Sequence, residues 1–374
     1  MKRVLLIVIA LQWCAFNVAC ASSGSQVSQK ATPEKVAHLN WSDSEWSLTP
    51  VTQFEGDSPR RVRCNKNALC WSWDNNSVWV STNDERWRLF HRARERIDSV
   101  YLVSATSGRI AKDRILYKTD DGGTTLKQIF PAPGEQDVLM SSVYFADENH
   151  GWAGGAKLDQ IRKDDPVINT DVDRDRLRIS KIYETRDGGQ SWSEARLPRF
   201  SGFLDELAFS DKGIGIGGTR RNLVFTSDSG KNWSDFEKYF PKVDDGERGN
   251  FLSAFFADDR GWLLFGGLEF EVWQTADKGG SWKNSVWQIE SKSTDTASYP
   301  PVPRFVFVDD KHGLFLYNHT RDCEVFKTSD GGKTWTAIQL QPNDDERFYD
   351  LTLQSPGKGF LVSSKGVYRF SIQL

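Results

Sequence analysis

A short phrase, Thr-x-Asp-x-Gly-x-x-Trp, occurs five times in the chain at intervals of a few tens of residues. Its aspartates are Asp121, Asp187, Asp228, Asp277 and Asp330, and the copy around Asp121 ends in Leu126 instead of Trp. A period of this length is typical of repeat architectures, in which each unit buries its apolar face against the next. A catalytic group is needed once, whereas these residues recur in unit after unit. The repetition therefore favours a structural role for the aspartates.

The chemistry of the phrase predicts a tight turn between two strands. Each copy follows a short apolar run, such as Leu223-Val224-Phe225. The Asp carboxylate can accept hydrogen bonds from backbone N–H groups of its own turn, and Gly adopts a positive φ without steric cost. The Trp that follows can pack its large apolar body against the neighbouring unit.

A second phrase precedes each copy of the first and allows the repeating units to be counted. An apolar strand and an acidic turn lead to Gly and another apolar strand, as in residues 143–155 and 254–267. Seven such hairpins can be found, including a degenerate one at residues 62–73, and seven strands follow them. The last strand, residues 367–370, ends before a further strand can form, and residues 45–50 resemble an orphaned outer strand. We therefore predict an all-β, seven-bladed β-propeller over residues 41–374. Each blade is a four-stranded antiparallel sheet, and the N-terminal strand closes the ring by joining the C-terminal blade.

Composition supports layered sheets and excludes a broadly basic surface. Fifteen Trp and 23 Phe stand beside only two Met, which suits sheet packing better than a helical bundle. The formal net charge of −3 argues against a nucleic-acid partner.

The first 40 residues indicate export. Residues 1–21 have the form of a signal peptide, with basic Lys2 and Arg3, an apolar region and an Ala-x-Ala cleavage site. An alternative is a lipoprotein signal with attachment at Cys20, although Asn17 stands where Leu is expected. Residues 22–40 have the composition of a flexible tether. We expect a periplasmic or secreted protein, with membrane contact only through the alternative lipid anchor.

The cysteines fit an oxidising compartment. Cys64 and Cys70 lie on either side of a hairpin turn, at a spacing that allows a disulfide outside the cytoplasm. Zinc would need further ligands, and none of the five His residues has a suitable spacing. Cys323 is expected to be a small buried side chain.

A basic run between the first two blades is a candidate partner-binding surface. It contains Arg86, Arg88, Arg92, Arg94 and Arg96 among aromatic residues. Such a run suits an acidic protein surface, a phosphate or an anionic headgroup. The alternative is the solvated face of an outer strand.

An insertion at residues 157–181 carries alternating aspartates, Asp171, Asp173 and Asp175. They resemble the start of a calcium loop, but Arg176 replaces the expected Gly and no Glu closes the loop. A charged surface loop is the alternative.

Aligned inner strands predict a group of charged residues at one mouth of the central channel. The candidates are Asp98, Asp205, Glu206, Arg304 and Asp350. Clustered carboxylates there could bind a cation or a sugar or perform acid–base chemistry, and unpaired acids around a water-filled channel are the ordinary alternative.

The repeated phrase resembles the Asp-box, or bacterial neuraminidase repeat, of β-propellers. Asp-boxes occur in sialidases, receptors, xyloglucan hydrolases and non-enzymatic assembly factors, so the resemblance implies a fold and not a function. A sialidase-like glycoside hydrolase using channel-mouth carboxylates is the alternative function. The Arg-Ile/Leu-Pro phrase of sialidases is matched only by Arg196-Leu197-Pro198, which follows a box on an expected outer strand.

Residues 143–155 and 182–189 resemble the photosystem II assembly/stability factor family more closely, and this resemblance covers nearly the whole mature chain. It implies a seven-bladed propeller that binds membrane-protein subunits during assembly, without catalysis or a cofactor. The sequence thus predicts an exported scaffold whose partner is another protein, a subunit of a membrane complex. No catalytic, cofactor-binding or metal-binding residue is assigned.

Overall fold

The computed structural model describes residues 41–42, 46–51, 54, 59–82, 86–133, 137–158, 178–198, 201–204, 206–219, 221–239, 250–266, 270–287, 304–318, 323–338 and 346–373. Asp205, Cys20 and the aspartates at 171, 173 and 175 lie outside these ranges, as do residues 1–40, and the side chain of Cys323 is likewise not described. The predictions for them therefore stay predictions. Within the described part of the chain, no helix has the length and apolar character needed to cross a membrane.

Strands β1 (Trp41–Ser42) and β2 (Trp46–Val51) precede the first complete blade. Blade 1 contains β3 (Arg61–Cys64), β4 (Leu69–Trp73), β5 (Ser77–Thr82) and β6 (Trp87–Arg92). Blade 2 contains β7 (Ile97–Leu102), β8 (Gly108–Lys112), β9 (Ile115–Thr119) and β10 (Lys127–Phe130). Blade 3 contains β11 (Val138–Phe145), β12 (Gly151–Leu158), β13 (Arg178–Thr185) and β14 (Ser193–Glu194). Blade 4 contains β15 (Glu206–Phe209), β16 (Gly215–Gly218), β17 (Leu223–Thr226) and β18 (Ser234–Asp235), followed by a 3₁₀ helix at Phe236–Tyr239.

The second half of the ring repeats this order. Blade 5 contains β19 (Asn250–Ala257), β20 (Arg260–Gly266), β21 (Phe270–Thr275) and β22 (Lys283–Trp287). Blade 6 contains β23 (Arg304–Phe307), β24 (Gly313–Asn318), β25 (Cys323–Thr328) and β26 (Thr336–Ile338). Blade 7 contains β27 (Phe348–Ser355), β28 (Lys358–Ser363) and β29 (Gly366–Ile372), together with β2 and β1.

The strands form the predicted seven-bladed propeller. Seven antiparallel sheets are present in the described residues. Six of them run in chain order from an inner to an outer strand, and in blade 7 the strands β27, β28 and β29 are followed outward by β2 and β1. The inner strands of neighbouring blades lie beside one another around the central axis, for example β23 between β19 and β27.

The ring closes as predicted from the sequence. Strand β2 pairs antiparallel with β29, with Leu48 opposite Phe370 and Val51 opposite Val367. The N-terminal strand thus supplies the fourth strand of blade 7 and covers the edge of β29. One detail differs from the prediction, because β1 pairs with β2 and makes this sheet five-stranded. Strand β1 has only two residues, which are too few to show the alternation of apolar and polar residues that predicts a strand.

The apolar core lies between neighbouring blades. Trp152 of blade 3 stacks on Phe209 of blade 4, with ring centroids 4.2 Å apart. Trp262 of blade 5 stacks in the same way on Phe307 of blade 6, at 4.7 Å. Burying a large apolar side chain contributes about 2–3 kcal/mol before entropy is counted, so these repeated layers hold the ring together.

Candidate functional site

The five box aspartates stabilise their own turns by hydrogen bonds. In each, a carboxylate oxygen accepts a hydrogen bond from the box Thr hydroxyl and others from the residue four positions along the chain. Asp187 shows the pattern, with Thr185 Oγ1 at 2.8 Å, Ser191 N at 2.9 Å and Ser191 Oγ at 2.5 Å. The Ser191 hydroxyl and backbone N–H, helped by Thr185, lower the pKa of Asp187 to about 2. The ionised carboxylate therefore serves as an acceptor for the turn.

The box glycines show why the turns matter beyond their own blade. Gly279 has φ +79°, and a Cβ there would lie 2.0 Å from the ring of Phe225 in the preceding blade. Trp282 of the same box contacts Phe236, also of the preceding blade, at 5.0 Å between ring centroids. The box is thus a joint between blades. The box around Asp121 lacks the Trp but keeps its hydrogen bonds to Thr125.

Cys64 and Cys70 are joined by a disulfide at the turn between β3 and β4, where the two residues are directly opposite each other in the sheet. The bond fixes the inner hairpin of blade 1.

The channel residues lie at the edge of the blades opposite the boxes. In blade 6, Phe307 pairs with Gly313 and Gly313 pairs with Thr328 of the box, whereas Arg304 begins the inner strand at the far end. Glu206 begins the inner strand of blade 4 in the same way. Equivalent positions on different blades therefore meet around the axis.

Arg304 connects its own blade 6 with three other blades. Its Nη1 lies 3.5 Å from Glu206 Oε2 and 3.4 Å from Ser253 Oγ, and its Nε lies 3.6 Å from Asp350 Oδ1. Arg304 is only 7% exposed, and burial, which by itself would lower its pKa, is outweighed by Glu206 and Asp350, which raise it. The predicted residues Glu206, Arg304 and Asp350 are thus brought together.

Asp350 is fully buried and has several donors. It accepts hydrogen bonds from Arg63 Nη1 at 2.9 Å, Val62 N at 3.2 Å and Leu351 N at 3.0 Å. Burial opposes ionisation, but the charges of Arg63 and Arg304 outweigh it and lower the pKa of Asp350. This carboxylate is therefore an ion-pair partner, not a free acid at a water-filled mouth.

Sequence reasoning missed two members of this cluster, Arg61 and Arg63, both on inner strand β3. Arg63 binds Asp350, and Arg61 lies close enough to Arg304, Asp350 and Arg63 for their charges to act on it. Aligning β3 with the other inner strands would have placed Arg61 at the same level as Arg304. The alignment was missed because the hairpin at residues 62–73 matches the repeated phrase poorly.

We call Arg61, Arg63, Glu206, Arg304 and Asp350 the channel cluster. Three arginines face two carboxylates, so the described members carry an excess of one positive charge. The sequence analysis placed mostly carboxylates at this mouth, and one of them, Asp205, lies outside the described residues.

Asp98 takes no part in the channel cluster. Its carboxylate lies 3.4 Å from Arg96 Nε and accepts a hydrogen bond from Arg114 N at 3.4 Å. In the described residues no contact joins it to Arg304, because its position on blade 2 faces the turn between β8 and β9. Among the same residues, no three His, Cys, Asp or Glu side chains group as a metal site.

The basic run forms a second, separate surface on the outer strand of blade 1. All five of its arginines are exposed, and we call Arg86, Arg88, Arg92, Arg94 and Arg96 the basic strip. Arg88 donates a hydrogen bond to Ala105 O, and Arg96 pairs with Asp98.

An open cleft of about 550 Å³ lies beside the basic strip, between residues 88–92 of β6 and residues 121–124 of the first box. Leu89 lines it and is 45% exposed, the large hydrophobic side chain that stands out as exposed in the described part of the chain. Arg88 and Arg92 flank this leucine, so the cleft combines apolar and cationic contacts.

Comparison with known proteins supports the fold. A search against protein-family profiles found no match. A solved structure of YCF48 bound to D1 peptide superposes with a TM-score of 0.59 at 14% identity, covering 90% of this chain and all of that one. YCF48 from Cyanidioschyzon merolae gives a TM-score of 0.57 at 14% identity, covering 88% of this chain and 99% of that one.

An enzyme superposes on this chain with the same TM-score as YCF48 bound to D1 peptide. A streptogramin B lyase structure gives a TM-score of 0.59 at 11% identity, covering 88% of this chain and 98% of that one. At these identities the likeness concerns the fold. The chain is a seven-bladed β-propeller whose structural neighbours include YCF48 and other β-propellers.

Proposed function

We propose that this protein is an exported, non-enzymatic β-propeller that binds another protein and acts as an assembly or stability factor for a membrane complex of the cell envelope. The observation that carries the proposal is the exposed Leu89 set within the basic strip beside an open cleft.

The composition of this surface is that of a protein-binding site. Arginine is among the residue types that dominate the energetics of protein interfaces, because its side chain combines contact area with directed hydrogen bonds. Covering the rest of Leu89 would contribute on the order of 1 kcal/mol. The neighbouring arginines would pair with acidic groups and steer their approach.

The basic strip also lies on an edge strand of its sheet. Strand β6 is the outermost strand of blade 1, and a bulge interrupts its register between Val78 and Trp79. An extended peptide could add to this edge, a common mode of peptide recognition. A propeller of the same fold, YCF48, has been solved with D1 peptide bound, which supports a polypeptide partner here.

Export rests on the first 21 residues and is supported by the disulfide between Cys64 and Cys70, since disulfides persist in oxidising compartments. The alternative processing at Cys20 would add a lipid anchor. The mass of the mature N-terminus from cells would distinguish a cleaved soluble form from a lipidated one.

The hydrolase alternative is less well supported by the channel geometry. Glycoside hydrolysis uses a carboxylic acid that protonates the leaving group beside a second carboxylate. Asp350 is fully buried, and its pKa is lowered by Arg63 and Arg304 against the effect of burial. At neutral pH it has no proton to give, and Glu206 shares its Arg304 partner.

Affinity capture tests the proposed function. Protein with Arg92→Gln and Arg94→Gln is compared with a matched control carrying Arg221→Gln and Arg347→Gln, two other exposed arginines. Bait proteins are incubated with detergent-solubilised envelope, and retained proteins are quantified by mass spectrometry. We expect the strip variant to lose a partner that the control retains. Equal retention by both variants would contradict the proposal.

A turnover screen on sialosides and β-glucans tests the alternative. We expect no hydrolysis above the buffer rate. Hydrolysis that disappears on Glu206→Gln substitution would favour the enzyme.

A further inference from the structure

Among the residues that the structure describes, Arg61 has no ion-pair partner in the channel cluster. It lies on inner strand β3 and is only partly exposed. Within the described residues its guanidinium makes no hydrogen bond or ion pair, whereas Arg63 on the same strand is bound to Asp350 at 2.9 Å. Burial, reinforced by the charge of Arg304, lowers the pKa of Arg61 to about 10. A guanidinium has five N–H donors to satisfy, so Arg61 is the member of the channel cluster with most capacity left.

Arg304 is also under-bonded. Its contacts to Ser253, Glu206 and Asp350 are 3.4, 3.5 and 3.6 Å, all longer than the 2.7–2.9 Å of a strong charge-assisted hydrogen bond. Its Nε is buried and has no hydrogen-bond acceptor in the described structure. Unmet donors of this kind are costly in a buried site and mark a place where an acceptor would stabilise the protein.

We propose that the channel cluster is a binding site for a carboxylate group, held between Arg61 and Arg304. This goes beyond the proposed function, because the cluster lies on inner strands around the axis and the basic strip lies on an outer strand.

The chemistry of the cluster selects the charge of the ligand. Its described members, three arginines and two carboxylates, disfavour a cation and favour a ligand with a single negative charge. Guanidinium groups match the planar, two-oxygen geometry of a carboxylate. A neutral sugar would leave the repulsion between Arg61 and Arg304 in place. The carboxylate can belong to a small organic acid or to the C-terminus of a polypeptide.

Isothermal titration calorimetry tests the site and separates these two sources. One arm titrates sodium propionate, with sodium chloride at equal ionic strength as reference. The other arm titrates a short peptide with a free C-terminal carboxylate, and the same peptide as its C-terminal amide. The purified protein is compared with Arg61→Gln and with Arg221→Gln, an exposed arginine outside the channel.

We expect carboxylate binding that exceeds chloride binding, weakens at least tenfold in Arg61→Gln and changes less than twofold in Arg221→Gln. Propionate binding identifies a small-acid site, and binding of the free-carboxyl peptide alone identifies a chain terminus. The proposal is overturned if no carboxylate binds better than chloride, or if Arg61→Gln binds as well as the unaltered protein. A urea unfolding midpoint for Arg61→Gln at or above that of the unaltered protein shows that the loss is not caused by misfolding.

Discussion

Replacing Asp350 by Asn removes the charge that holds the channel cluster together. Asp350 is fully buried, and it accepts hydrogen bonds from Arg63, Val62 and Leu351 while lying 3.6 Å from Arg304. Asn presents one oxygen and an NH₂ group, so donors would face donors on one side. Breaking a buried ion pair by removing one partner costs about 3–5 kcal/mol, because the remaining charge is left buried and unpaired. We expect Asp350→Asn to lower the free energy of unfolding by that amount.

Urea unfolding at pH 7, followed by tryptophan fluorescence, measures this loss. A second substitution tests the cause of the loss, which should be repulsion among the three arginines. Adding Arg61→Gln to Asp350→Asn should therefore recover at least about 1 kcal/mol, a coupling typical of residues in one charge network. A loss of less than about 1 kcal/mol in Asp350→Asn would contradict the buried ion pair. Strictly additive effects of the two substitutions on the free energy of unfolding would contradict the repulsion.

Three further predictions concern the boxes. The buried Thr185 hydroxyl accepts from Gly189 N at 2.8 Å, so Thr185→Val should cost about 1–3 kcal/mol by leaving that N–H unpaired. Thr185→Ser, which keeps the hydroxyl, should cost less in the same urea titration. Gly279→Ala should lower the melting temperature well below that of Gly122→Ala. Both glycines have positive φ, but a Cβ on Gly279 would lie 2.0 Å from Phe225, whereas a Cβ on Gly122 would have no neighbour nearer than 3.9 Å. Equal melting temperatures for the two variants would rule out the inter-blade contact. Finally, hydrogen bonds from Thr125, and from Ser191 in the next box, lower the pKa of Asp121 and Asp187 to about 2, below the ordinary value of 3.8. Their stabilisation is therefore complete above about pH 4 and lost as the pH falls toward 2; circular dichroism melts across this range should show the decline, and a flat melting temperature would contradict it.

Much of the fold could be predicted from the sequence because its signals are local. A box needs only Thr, Asp and Gly at fixed spacing, since the Asp carboxylate and the Thr hydroxyl bond within their own turn. Repetition then gave the number of blades, and the orphaned strand before residue 51 indicated how the ring closes. The structure confirms both, with β2 paired to β29.

The candidate sites were only partly predictable. The basic strip is contiguous in the sequence, so its arginines could be identified directly, but the exposure of Leu89 was not predicted. The inner-strand alignment identified Glu206, Arg304 and Asp350. It missed Arg61 and Arg63, and it did not indicate that Asp98 contacts Arg96 and Arg114, because position along a strand does not say which charges face each other across the channel.

The sequence by itself determined the repeating unit, since turn chemistry and apolar alternation act over a few residues. Only the tertiary structure decided which charged side chains of the channel cluster contact one another. Arg63 and Asp350 are 287 residues apart and meet because the ring brings its first and last blades together. The pairing of Asp350 depends on that closure, through which an arginine of blade 1 reaches the carboxylate of blade 7.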